Sequence, residues 1–411
     1  MLPDRRRVGI EKMRAYPSTL SLDLEELARA RDHDPLDIRD NLLLRSRSLN
    51  PLWEDPVTMA VNAADAMLTD EDRASIELLI VATESSVDQG KSISTYAQRL
   101  LGIPHNCRNY ESKQACYGGT AALMMAAHWV VSGISDKKAL VITTDQSRMH
   151  LHKPYEFVMG AGAVAMLVSA EPRVLELELE HNGFWTTEVS DTFRPTSTVE
   201  TGNGETSLYC YLDALEGAYA HFLTKTGPID FDAYFAKNIY HVPFGGITFQ
   251  AHRTLLRHWK RLKKSEALEH FRRKTLPSLK YTSMIGSTYS GSTFVALMGL
   301  FDSCDDLEPG HRVGIYSYGS GSCGEFYSGI VCPEAREVIA AADLSRLVEM
   351  RQPVSVSEYE TLERQRFDLI DRGTYEIPLD GHGDLFAGRY AGNRHLILRG
   401  NKDHFRQYDW S

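Results

Sequence analysis

The chain has 411 residues, 43% of them hydrophobic and 24% charged, with a formal net charge of −10. That balance belongs to a folded globular protein, and it argues against disorder and against general nucleic-acid binding. The length suits one large domain or two fused ones. Six scattered cysteines (Cys107, Cys116, Cys210, Cys304, Cys323, Cys332) form no CxxC pair, so neither a metal knuckle nor a disulfide framework is indicated and a working thiol stays open.

The opening MLPDRRRVGIEKM is basic with no apolar stretch behind it, and the longest uncharged apolar run, TAALMMAAHWVVSG, falls short of a membrane span. A cytoplasmic protein is the expectation. An amphipathic helix is expected from about Asp23 (DLEELARAR), with the aspartate capping its free N–H groups. IELLIVATES (76–85) reads as a buried strand that ends on Glu84, where desolvation would raise a carboxyl pKa toward the range of proton transfer. A turn-closing role is the plainer reading of a loop acid, and Asp88 is the neighbouring alternative.

Cys116 lies in KQACYGGTAALMMAAHWVV, where a long apolar helix pattern starts. Backbone N–H groups and the positive end of the helix dipole are expected to lower its pKa and make it a nucleophile. The plainer reading is a small residue at a tight turn. KALVITTDQS (138–147) and GAGAVAML (160–167) read as strands, the latter without the third glycine of a dinucleotide fingerprint. His241 ends another strand, AKNIYHVPFG (236–245), and could donate a hydrogen bond to a carbonyl oxygen; taken alone, a histidine among aromatic residues is more often structural.

From Arg253 to Lys280 ten Lys or Arg face only Glu266 and Glu269. Arg253 and Arg257 head this patch, which suits a negatively charged partner or else is a solvated helix face. In SYGSGS (317–322), Ser320 and Gly321 follow a strand and could aim backbone N–H groups at an oxyanion. The tail from about Pro333 combines a helical stretch, EAREVIAAADLSRLVEM, with a strand, RHLILRG, and is expected to pack on the second half.

The chain also repeats itself. ACYGGTAALMM (115–125) aligns with STYSGSTFVAL (287–297), KALVITTDQS with HRVGIYSYGS (311–320), and IELLIVATES with AKNIYHVPFG. Three elements in the same order, twice, predict a duplicated α/β fold of two halves, 1–175 and 176–411, with Cys116, Glu84 and His241 converging where the halves meet.

The blocks EDPVTMAVNAA, IVATESSVDQGKS, ESKQACYGGTAAL, GAGAVAMLVS, DTFRP, HVPFGG and SYGSG together resemble the 3-hydroxy-3-methylglutaryl-CoA synthases of the thiolase superfamily. The resemblance implies the five-layer αβαβα thiolase fold and a homodimer. It implies Cys116 as acetyl carrier, Glu84 as general base and acid, and His241 as the group that binds the acceptor's ketone oxygen. The N–H groups of Cys116 and Ser320 would form the oxyanion hole. Substrates would be acyl-CoA or phosphopantetheine thioesters, with no metal and no further cofactor.

KQACYGGTA, HVPFGG followed by AHRTLLR, SYGSGSCGEFYSG and the ending HFRQYDWS look closest to the enzymes that build β-branches on polyketides. Acyl carrier proteins would then be the donor and acceptor partners, acyl-CoA remaining possible. In the acceptor segment Ile285–Tyr289, which also carries Tyr289, Ser287 stands where the family usually has Asn. The rival readings are a primary-metabolism synthase using CoA substrates, a ketosynthase or thiolase with Cys323 as a second cysteine, and a non-catalytic carrier-docking homologue.

Overall fold

The computed structural model describes residues 7–148 and 150–411, so the basic start up to Arg6 lies outside it. Through the first repeat the chain runs β1 (Gly9–Tyr16), β2 (Leu20–Asp23), α1 (Leu24–Ala30), β3 (Ser46–Leu49), α2 (Pro56–Asp65) and β4 (Ile76–Ala82). It continues through α3 (Ile93–Leu100), β5 (Arg108–Ser112), α4 (Gly118–Ser132), β6 (Lys138–Gln146) and β7 (Ala161–Ser169). Asp23 caps α1 as expected, accepting from the Glu25 and Glu26 N–H groups.

The second repeat holds β8 (Leu175–Leu177), β9 (Gly183–Thr186), β10 (Thr192–Phe193), β11 (Thr201–Gly202), α5 (Gly204–Thr226) and β12 (Lys237–Tyr240). Then come α6 (Gly245–Trp259), α7 (Lys264–Lys274), α8 (Ser292–Ser303), β13 (Arg312–Gly319) and β14 (Cys323–Val331). The strands follow the order β12-β13-β14-β8-β1-β7-β6-β4-β5. The order mirrors itself about its middle: β4 lies parallel to β6 as β12 does to β13, β6 antiparallel to β7 as β13 to β14, and β1 and β8 meet over only two residue pairs. The sequence repeat is therefore a structural one.

Alternation along the strands builds the layers, because successive side chains point to opposite faces. In β4, Leu78, Ile80 and Ala82 join a core shared with α4 and α8, while Leu79 and Val81 join another with α2 and α3. In the second repeat Ile239, Val313 and Ile315 enter that same central core, and Tyr240, Tyr316 and Tyr318 face α5 and α6. The result is the five-layer αβαβα arrangement. Helix α4 is apolar over most of its surface because most of it is buried in the central layer, while Met125, His128 and Ser132 form an exposed stripe along it. No helix among the described residues is long and apolar enough to cross a membrane.

The tail corrects an expectation. The helical stretch splits into two short helices at Asp343 (φ 49°), but most of the chain beyond them packs on the first half. β15 (Gln352–Val354) adds parallel to β2, which already pairs with β3, and Leu396 exchanges two hydrogen bonds with the Asn62 side chain. Glu54, buried, receives the hydroxyls of Tyr16, Ser18 and Tyr390. The physical reason is an open strand edge and an apolar face: Leu20, Leu22 and Trp53 share one core with Val354, Tyr359 and Ile397.

Helix α4 packs so closely on β6 and on the turn before α8 that Gly119 has no room for a side chain: a Cβ would stand 2.7 Å from Thr143 Cγ2 and 2.8 Å from the Ser290 carbonyl oxygen. Gly119→Ala should therefore destabilise the protein by about 1–3 kcal/mol, the usual cost of overpacking. Gly204→Ala, with nothing within 4 Å, should leave stability unchanged. Urea midpoints of the two variants check this, and equal midpoints would refute it.

Candidate active site

The three expected side chains reach one place by three different routes. The chain leaves β4 at Ala82, and the Glu84 N–H donates to Asp145 Oδ1 at 2.9 Å, which turns the glutamate out of the sheet. Asp145 itself ends the buried part of β6. Cys116 sits in a tight elbow: Ala115 has φ 44°, and the N–H groups of Tyr117 and Gly118 donate back to the carbonyls of Gln114 and Ala115 before α4 begins. His241 follows β12, its N–H held by the Tyr316 carbonyl at 2.7 Å and its carbonyl by the Tyr211 hydroxyl at 2.9 Å.

Glu84, Cys116 and His241 line a single cavity of about 400 Å³ together with Ser287, Tyr289 and Ser320. The Cys116 Sγ lies 3.4 Å from Glu84 Oε1 and donates to it. Most of the remaining wall is apolar, including Leu42, Phe193, Leu208, Phe244 and Ile247. Neither the Cys116 nor the Ser320 backbone N–H donates to any partner among the described hydrogen bonds, so both are free for an oxyanion.

The electrostatics correct one expectation and support another. Burial, then the Glu84 and Asp145 carboxylates, push the Cys116 thiol well above its usual range. The anticipated lowering by the helix start does not prevail, and Cys116 rests as a thiol hydrogen-bonded to the Glu84 carboxylate. Burial also raises Glu84, with Arg194 as the main opposing influence, and lifts Asp145 to about 7. Desolvation drops His241 to about 3, so its imidazole is neutral at working pH; its buried Nδ1 has no described partner.

Other expected residues divide. Gly321 does not line the cavity: its N–H is bonded to Asp191 Oδ1 at 2.8 Å, which leaves Ser320 as the loop's available donor. The Ser287 hydroxyl is engaged in its own turn, 3.3 Å from Ser292 Oγ and from the Tyr289 N–H that donates to it. Tyr289 (φ 51°) keeps its buried hydroxyl without a described partner. Asp88 closes a surface turn through the Gly90 and Lys91 N–H groups. Cys323 sits beside Thr186 on β14 and outside the cavity, which removes the two-cysteine reading.

Arg253 and Arg257 lie on α6 away from the cavity wall. Of the ten basic residues of that stretch, Arg272, Arg273, Lys274 and Lys280 pair with Glu269, Asp232 and Asp302. The other six, Arg253, Arg257, Lys260, Arg261, Lys263 and Lys264, have no ion-pair partner among the described residues. Sequence reasoning missed Arg194, Asp145 and Glu200. Asp145 carried the same signal as Glu84, an acid closing an apolar strand; Arg194 stood out only as a lone charge within TFRPTST.

Comparison with known proteins gives the family of the chain. The descriptions "Hydroxymethylglutaryl-coenzyme A synthase N terminal" and "C terminal" match residues 46–172 and 257–391. The polyketide biosynthesis 3-hydroxy-3-methylglutaryl-ACP synthase PksG of Bacillus subtilis is 36% identical over 98% of this chain and 99% of its own. The hydroxymethylglutaryl-CoA synthase of Enterococcus faecalis is 33% identical over 90% of this chain and 95% of its own. Among solved structures, the curacin biosynthetic pathway HMG synthase in complex with holo donor-ACP superposes with a TM-score of 0.94 at 37% identity, covering 98% of this chain and 100% of that one. Fold, cavity and sequence together make the chain a member of the hydroxymethylglutaryl-CoA synthase family.

Proposed function

We propose that this enzyme joins an acetyl group carried on Cys116 to the β-ketone of an acyl chain held on an acyl carrier protein, installing a β-branch during polyketide assembly. The observation that carries the reading is the 3.4 Å contact of Cys116 Sγ with Glu84 Oε1 inside a cavity that also admits His241. Residues 1–175 would contribute nucleophile and base, and 176–411 the imidazole and the Ser320 loop. The working molecule would be a homodimer, and thioesters would be the only small-molecule substrates.

In the first step the Cys116 proton passes to Glu84 as sulfur attacks the acetyl thioester, and the donor thiol leaves with a proton. The tetrahedral oxyanion meets the Cys116 and Ser320 N–H groups, each worth roughly 3 kcal/mol by the usual cost of removing such a donor. Ionised Glu84 then takes a proton from the acetyl methyl, and the enolate carbon attacks the acceptor ketone. His241, neutral, donates a hydrogen bond to that oxygen, which is reprotonated from Glu84 or water. Water finally cleaves the Cys116 thioester, releasing a carboxylate and restoring the thiol.

A CoA-using synthase of primary metabolism is the second reading, favoured by the likeness to the E. faecalis enzyme. The two differ in donor and acceptor carrier, not in chemistry. The six unpaired basic residues on and after α6 favour an acidic protein partner, since they spread over a helix face and the turn beyond it.

Cys116→Ala should show no acetyl adduct by intact mass after incubation with acetyl-loaded carrier protein; an adduct in that variant would defeat the assignment. Glu84→Gln should acetylate more slowly, because the carboxylate that takes the thiol proton is gone, yet still accumulate acetyl-enzyme on long incubation while condensation falls by about 10²- to 10⁴-fold. Charge reversal at Arg253 or Arg257 should weaken carrier-protein binding, with the difference shrinking as salt is raised. Equal affinity at low ionic strength would remove the patch from the recognition of the partner.

A further inference from the structure

The loop from Arg194 to Glu200, between β10 and β11, carries a charge that none of these steps uses. The Arg194 side chain is 12% exposed and lies on the cavity wall. Each of its neighbours is part of the site or braces it. Nε donates to Glu200 Oε2 at 2.6 Å, Nη1 donates to the Glu84 backbone carbonyl and stands 3.8 Å from Glu84 Oε2, and Cζ lies 5.0 Å from the centre of the Tyr289 ring. Nη2 is buried with no described partner.

A guanidinium is planar and permanently charged, so contacts on two of its nitrogens fix the direction of all its N–H groups. Glu200 alone would suffice to anchor the loop by an ion pair. The additional grip on both the carbonyl and the carboxylate of Glu84 is what loop anchoring leaves unexplained. It spans the sequence as well, since Glu84 belongs to the first repeat and Arg194 to the second. We propose that Arg194 is a positioning residue for proton abstraction: braced by Glu200 and Tyr289, it holds the Glu84 carboxylate beside Cys116, where it meets the methyl group of an acetyl on that sulfur.

The inference rests on the acyl-transfer reading above. The charged and titratable groups around Glu84 are Cys116, Asp145, Arg148, Arg194, Glu200 and Tyr289. Among them Arg194 does most to favour the ionised base. Without it the carboxyl stays protonated to higher pH, so the rising limb of the condensation profile moves upward.

The test uses full-length Arg194→Gln, Arg194→Lys and Glu200→Gln with acetyl-CoA or acetyl-loaded carrier protein. Acetylation is read by intact mass, base action by deuterium uptake into the acetyl methyl, and condensation as a function of pH. Arg194→Gln should still reach complete acetylation of Cys116, more slowly than the parent because the same carboxylate takes the thiol proton, while exchange and condensation fall further, on the order of 100-fold, the cost of a misplaced catalytic group. Its rising limb should move up by about one pH unit. Lysine should restore the limb but only part of the rate, and Glu200→Gln should show the same pattern at roughly tenfold.

Wild-type exchange and an unshifted limb in folded Arg194→Gln overturn the proposal. Should that variant fail to fold, Glu200→Gln with parental exchange and pH profile overturns it. A parent enzyme that never acetylates Cys116 would instead sink the acyl-transfer reading and leave a distinct signature from either failure.

Discussion

Everything in the cavity depends on one proton lying between a sulfur and a carboxylate that are both largely withdrawn from solvent. Two anions 3.4 Å apart in such a medium would repel strongly, so only one of the pair can be ionised at rest. Burial raises both groups, and the thiol is raised further by the acids beside it. The enzyme therefore does not store a thiolate. It holds a carboxylate next to a thiol, and in the proposed reaction that carboxylate would become free for the acetyl methyl once sulfur had been acylated and its proton carried away by the departing thiol.

Holding that pair at a fixed distance is the task of the five layers. The base arrives from the end of a strand, the sulfur from an elbow before a central helix, and the imidazole from the strand that corresponds in the other repeat. Their convergence requires backbones to touch. At Gly319, where the Ser320 loop begins, a Cβ would stand 2.4 Å from the Gln114 carbonyl and 2.7 Å from the Tyr117 nitrogen. The Ser320 loop and the Cys116 elbow are thus in direct backbone contact, and the two N–H groups without a partner among the described residues sit side by side on that scaffold.

The strands, the duplicated helices and the three principal side chains were legible because each leaves a local mark: alternation, apolar runs, a reactive residue where an element ends. Three things were not legible, for different reasons. The thiol's resting state is set by its surroundings in space, and Asp145, 29 residues downstream, adds a negative charge that a helix-start argument does not contain. The Gly321 N–H looked free in SYGSGS, but Asp191, 130 positions away, accepts from it. The tail's docking on β2 and Asn62 depends on a strand edge left open near the other end of the chain, which no window of sequence displays.

Net charge and recognition point in opposite directions here, and distance decides between them. The whole protein carries −10, which would repel an acidic carrier, yet the exposed face of α6 and the turn after it hold Arg257, Lys260, Arg261, Lys263 and Lys264 with no acid paired to them among the described residues. Charges act through water over only about 8 Å at physiological salt. A partner docking at that face feels the local cations and little of the distant acids, so the surplus negative charge does not decide what the protein binds. The four basic residues nearest the end of the stretch are neutralised internally by Asp232, Glu269 and Asp302, which confines the attraction to the α6 side. Because α6 begins at the cavity, with Ile247 on its wall, and rises about 1.5 Å per residue, Arg257 stands roughly 15 Å along the helix from that wall. A flexible thioester arm presented at that end of α6 would have about that length of helix to run along before entering the cavity.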